Sequence, residues 1–128
     1  MMLLKNMLIV GLGGFFGSTA RYIAYQLIDK RMNSLYPWTT FIVNITGSLM
    51  LGFVLGLFIK HSVTSGNIRL LLVTGFCGSF TTFSTFAFEN VFLLQQKAIS
   101  TALFYTTASL ILGFLAVFAG YHLGKYFS

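Results

Sequence analysis

An acid, five hydroxyls and five phenylalanines share the segment GFCGSFTTFSTFAFEN, residues 75–90. Thr82, Thr85 and Glu89 stand there at i, i+3 and i+7, with Ser84 beside them, so a helix would line them up on one stripe. Upstream, Thr40, Asn44 and Ser48 repeat at i, i+4, i+8; downstream, Thr101, Tyr105 and Ser109 do the same. Hydroxyls and carboxamides donate and accept hydrogen bonds without a full charge. Lines of them on three elements suit the passage of a polar or ionic species, not a reaction.

The elements that must carry these stripes follow from composition. The chain has 128 residues, room for one domain over 1–128. It is 56% apolar and only 8% charged, against about a quarter charged for soluble domains. A small soluble domain cannot hide that much apolar surface, so the solvent is a bilayer. A helix crosses the hydrocarbon with about 20 apolar residues, and four segments qualify: 4–27, 38–59, 68–94 and 98–121. DKRMNSLYP, KHSVTSGN and QQKA separate them, and the single proline, Pro37, stands just before the second. The first segment has Arg21 where a signal-peptide cleavage site would lie, which argues for its retention. The expected fold is all-α, with four membrane helices.

An even number of spans places both termini and the middle loop on one side. Lys5, Lys60, Arg69 and Lys125 fall there; Lys30, Arg31 and Lys97 fall opposite. Four against three leaves the positive-inside rule without instruction. Either the insertion machinery orients the chain, or copies insert both ways and pair as antiparallel dimers. The net charge of +6 is spread thinly, without a basic cluster, so nucleic acid is not a partner. Nothing resembles a nucleophile–base pair or a phosphate loop, and His61 and His122 lie at helix ends rather than at metal spacing, so an enzyme is not expected. The lone Cys77 excludes an internal disulfide.

Each polar residue inside the membrane also has a plain use. Serine and threonine hydroxyls bond back to the preceding turn, or sit at helix contacts beside glycine pairs such as Gly13/Gly17, Gly52/Gly56 and Gly120/Gly124. Asn44 serves as interhelix glue or as a ligand contact. Glu89 is functional by default within lipid, unless it lies at a wet helix end. Gly75 and Gly78 favour close packing by spacing alone. They also allow a break near 78–82, where freed carbonyls would suit a hard cation such as sodium. Phe76, Phe80 and Phe83 form an ordinary packing stripe at i, i+4, i+7, whereas Phe86 is offset toward the hydroxyls. The positive edge of a phenyl ring attracts a small anion without trapping it.

Three stretches together are distinctive. GGFFGSTARY (13–22), TTFIVNITGS (39–48) and GFCGSFTTFSTF (75–86) resemble, in order and spacing, the helix motifs of the Fluc (CrcB) family of microbial fluoride channels. The likeness extends over essentially the whole chain. Two positions depart from it: Thr39 stands where the family usually has glycine, and Gly113 where a serine is sometimes found. The resemblance implies a dual-topology antiparallel homodimer in the inner membrane, with a third helix broken near mid-membrane. It implies two fluoride pores and a structural sodium ion on the backbone carbonyls of Gly78 and Thr81. It further implies pore roles for Asn44, Phe83, Phe86, Tyr105 and Ser109, a polar path continued by Ser84, Thr85 and Glu89, and Arg21 at the vestibule. Passive fluoride export would be the function.

Two rivals come from other classes. A small proton-coupled multidrug exporter also has four spans and often dual topology, but places its membrane acid in the first helix, where this chain has Arg21. A non-transporting scaffold held by the glycine pairs would pass no ion.

Overall fold

Four helices are long and apolar enough to cross a membrane: Met2–Asp29, Trp38–Leu57, Gly66–Gln95 and Ile99–Phe127. They come from a computed structural model that describes residues 1–59 and 66–128; Lys60 and His61 lie outside those residues. We label Met2–Asp29 α1 and Trp38–Leu57 α2. The third span divides into α3, residues 66–80, and α4, Phe83–Gln95; Ile99–Phe127 is α5. Among the described residues there is no strand. The expected spans agree to within a few residues, except that α5 runs to Phe127 instead of stopping at 121. Its last turns hold no proline, and Gly124 still packs on α2.

Glycine decides which helices touch. A Cβ on Gly13 would strike the Leu71 carbonyl, and one on Gly17 the Phe76 carbonyl, so α1 lies directly on α3. Gly52 and Gly56 meet Val117 and Tyr121 in the same way, while Gly120 and Gly124 return the contact to Leu49 and Phe53. Numbering ascends together along both partners, so α1 and α3 run parallel, as do α2 and α5. Lipid gives apolar faces no reason to associate, and close backbone approach supplies the attraction instead. We expect Gly13→Ala to lower the thermal midpoint of the detergent-solubilised protein by several degrees, since overpacking costs about 1–3 kcal/mol. Gly14→Ala, whose Cβ meets nothing within 4 Å, should leave the midpoint unchanged or raise it. Equal midpoints would remove the glycine contact from the account.

The third span is irregular twice. Leu70–Cys77 is π-helical, a widened turn that proteins tend to keep at working sites. Past Phe80 the helix stops: Thr81 (φ −81°, ψ 156°) and Thr82 (φ −148°, ψ 117°) are extended before α4 begins at Phe83. The break expected near 78–82 is therefore present, but Gly78 itself remains helical at φ −63°, ψ −33°. Threonine chemistry sets the place, because the Thr82 hydroxyl caps α4 by accepting from the Thr85 N–H. Phe76 stacks on Phe80 at 5.8 Å, but Phe83, beyond the break, pairs with Phe86 at 5.9 Å. The expected stripe of Phe76, Phe80 and Phe83 is thus cut in two.

A tight turn joins α4 to α5. Lys97 takes φ 58°, while its N–H bonds the Leu94 carbonyl and the Ala98 N–H bonds the Leu93 carbonyl. This is the Schellman pattern, with lysine where glycine is usual.

Candidate functional site

The break is held open by one side chain from α2. Asn44 Oδ1 accepts from the Thr82 N–H at 2.8 Å, and Asn44 Nδ2 donates to the Thr82 carbonyl at 3.0 Å. In a continuous helix that N–H would bond the Gly78 carbonyl, four residues back. The Thr85 N–H, which would bond the Thr81 carbonyl, goes to Thr82 Oγ1 at 3.2 Å. Both carbonyls are thereby released from their helical donors. The expected pair, Gly78 and Thr81, are the residues so freed, and their oxygens fit a hard cation such as sodium. Gly78 is exposed on the single chain and Thr81 is half-buried.

A second set of bonds ties Glu89 to three elements. Thr40 donates to Glu89 Oε1, and Tyr105 donates to Oε2 at 2.8 Å. Tyr25 lies 2.5 Å from Thr40 Oγ1. Each hydroxyl has one hydrogen, and Thr40 has committed its own, so Tyr25 must donate to Thr40. The chain therefore runs Tyr25 to Thr40 to Glu89, with Tyr105 converging from the other side. One residue before Thr40, Thr39 donates to Asp29 and joins the end of α1 to the start of α2. That bond gives the unusual threonine at 39 a use. It also puts Asp29 at the very end of α1, so the first helix carries an acid only at its terminus.

Two cavities separate the expected residues. One, of about 380 Å³, is lined by Asn44, Ser48, Thr81, Phe83, Phe86 and Ser109 among others. The other, of about 210 Å³, is lined by Tyr25, Asp29, Thr39, Thr40 and Glu89 among others. Tyr105, fully buried, stands between them: its ring lies 5.0 Å from that of Phe86 while its hydroxyl reaches Glu89. Ser109 lines the first cavity, and its buried hydroxyl has no protein partner. Phe83 is 78% exposed on the single chain. Ser84 and Thr85 gather on the Thr82 hydroxyl at 3.4 and 3.1 Å. Arg21 is half-buried on α1, one turn before Tyr25.

Several participants escaped the sequence reading. Tyr25 could have been found, since it follows Arg21 at i+4 on the same face. Asn90 accepts from Thr106 at 2.8 Å and so clamps α4 to α5, a pairing no repeat announces. Tyr36 lies in the connection between α1 and α2, its hydroxyl buried without a partner. Burial pushes that phenol above its ordinary pKa, so it stays neutral.

Comparison with known proteins joins these features to a family. The model of the CrcB-like protein family, described as Camphor Resistance (CrcB), matches residues 8–121. Over 125 residues the chain is 39% identical to the fluoride-specific ion channel FluC of Azobacteroides pseudotrichonymphae, covering 98% of this chain and 100% of that one. It is 47% identical over 117 residues to FluC 2 of Bacillus cereus, with 91% and 95% covered. FluC of Chlorobium phaeobacteroides is 43% identical over 127 residues, with 97% and 98% covered. Matched nearly end to end by the family model and by these relatives, this multi-pass membrane chain belongs to the CrcB family.

Proposed function

We propose that the protein is a fluoride-selective channel that lets fluoride leave the cell passively through the inner membrane. The observation that carries this reading is the break held by Asn44. Beside it lies a cavity offering a partnerless hydroxyl, Ser109, and the rings of Phe83 and Phe86, but no charged side chain among its lining residues. Weak donors and ring edges hold a small anion loosely enough for it to move on. The names of the relatives point to the same ion.

The working unit we propose is an antiparallel homodimer with two pores. Gly78 and Phe83 are exposed on the single chain, and a second copy would cover them. One chain offers two freed carbonyls at the break, too few for a cation's shell, and a partner's pair would complete it. When bound there, sodium would supply positive charge and join the two third spans. The roles of this chain's residues do not depend on any reaction: Asn44 holds the break open through Thr82, Ser109 offers a hydroxyl, Tyr105 backs the Phe86 ring while bonded to Glu89, and Phe83 and Phe86 offer ring edges.

Purified protein in liposomes loaded with fluoride tests the reading with a fluoride electrode. We expect rapid fluoride release and no comparable chloride release. Phe83→Ile and Phe86→Ile, which keep apolar bulk but remove the ring edge, should each slow fluoride release while leaving the assembled protein intact by size-exclusion chromatography. Wild-type release from both well-assembled variants would defeat the ring assignment. Absence of fluoride release from folded wild-type protein would defeat the channel itself.

A further inference from the structure

Four aromatic rings form a continuous ladder from the α1–α2 connection to the break. Tyr36 meets Tyr105 at 5.3 Å and 74°, Tyr105 meets Phe86 at 5.0 Å and 59°, and Phe86 meets Phe83 at 5.9 Å and 42°. Tyr36 is itself held by Trp38 at 4.5 Å, Phe41 at 5.7 Å and Phe104 at 5.7 Å. Tyr105 is thus gripped between a ring of the cavity and a ring of the connecting segment.

We propose that Tyr36 is a positioning residue for anion passage: its edge-on contact fixes the Tyr105 ring, and through it the Phe86 ring at the cavity wall. The inference rests on the fluoride-channel reading for its transport readout, but not for its geometry. A Tyr105 side chain free to swing about χ1 would carry its hydroxyl away from Glu89 Oε2, and a ring free to turn about χ2 would take its face away from Phe86. The Tyr36 hydroxyl is buried without a partner, so it is the ring, not the hydroxyl, that acts. A phenylalanine would do the same work, because removing an unpaired buried polar group costs nothing. Trp38 offers a contrast, since it touches Tyr36 and Phe41 but makes no ring contact with Tyr105.

The test combines flux with a signal independent of it. 3-Fluorotyrosine placed at position 105 of the whole protein gives a ¹⁹F resonance sensitive to ring orientation. In Tyr36→Leu we expect that resonance to shift or split, fluoride release to slow about two- to tenfold, the equivalent of one aromatic pair, and the preference over chloride to narrow. Tyr36→Phe should match wild type in all three measurements. Should Tyr36→Leu fail to assemble, Tyr36→Met, flexible and of similar apolar bulk, carries the same test. An unmoved resonance in the leucine or methionine variant overturns the proposal, as does equal loss of flux in Tyr36→Phe. A shifted resonance in protein that passes no fluoride even as wild type would sink the channel reading and leave the positioning contact standing.

Discussion

Replacing Asn44 by leucine should stop fluoride release almost completely while leaving the four helices folded. Both side chains have four heavy atoms branched at Cγ, so the shape is kept, but leucine removes both bonds to Thr82 at once. Thr82 is only 7% exposed, and a buried backbone group left unpaired costs about 1–3 kcal/mol. The chain has one inexpensive remedy, which is to return the Thr82 N–H to the Gly78 carbonyl as in a continuous helix. That repair straightens the third span and takes back an oxygen offered to the cation. We therefore expect slower hydrogen exchange at the Thr82 amide, loss of any stabilisation by sodium, and loss of flux together. Asn44→Asp separates the two bonds, since a carboxylate still accepts from Thr82 N–H but cannot donate to its carbonyl. It should fold less stably than wild type and also fail to conduct, because it sets a negative charge beside an anion's path. Wild-type flux from folded Asn44→Leu would show that the break needs no such support.

How much of this was legible beforehand differs by level. Hydropathy and length located all four spans, because lipid imposes a strong and continuous requirement on each of them. Small-residue spacing found Gly13/Gly17, Gly52/Gly56 and Gly120/Gly124, since a helix contact repeats with the turn. The break was harder. Glycine drew attention to Gly78, but the backbone opens at Thr81 and Thr82, where a capping hydroxyl and the Asn44 carboxamide replace the lost helical bonds. That substitution depends on α2 lying beside the break, and no local pattern states it. Tyr36, Asn90 and Thr106 were invisible for the same reason: each makes a single contact across elements, without a period. Thr39 looked like a mere departure from the family until Asp29 supplied its partner. Gly113, the other departure, lines the larger cavity, and a Cβ there would meet nothing within 4 Å. The line of hydroxyls along α5 accordingly ends at Ser109. Functional roles for these residues came from the resemblance, not from spacing.

The second large effect is expected at Glu89, and a double-mutant cycle with Tyr105 reads it. Glu89 is the acceptor at which two lines of donors end, Tyr25 through Thr40 on one side and Tyr105 on the other. Glu89→Ala leaves the Thr40 and Tyr105 hydroxyls without their acceptor, and Tyr105 is wholly buried. Tyr105→Phe removes one donor but leaves Glu89 its bond from Thr40, so it should be the milder change for stability. In the double variant the Tyr105 hydroxyl is no longer present to be stranded, and its loss should cost less than the two single changes added together. A hydrogen bond to an ionised group contributes about 1.5–3 kcal/mol, so we expect a coupling of about 1–3 kcal/mol in the stability of the detergent-solubilised protein. Fluoride release should follow the same pattern, with each single variant slow and the double variant no slower than Glu89→Ala, because either change undoes the bond by which Tyr105 reaches Glu89. Glu89→Gln sharpens the point. Its amide nitrogen would confront a hydroxyl that already donates, and either Tyr105 must turn away or the Tyr25–Thr40 line must reverse its direction. Simple additivity of Glu89→Ala and Tyr105→Phe, in stability and in flux, would mean that the two cavities work independently and that Tyr105 does not join them.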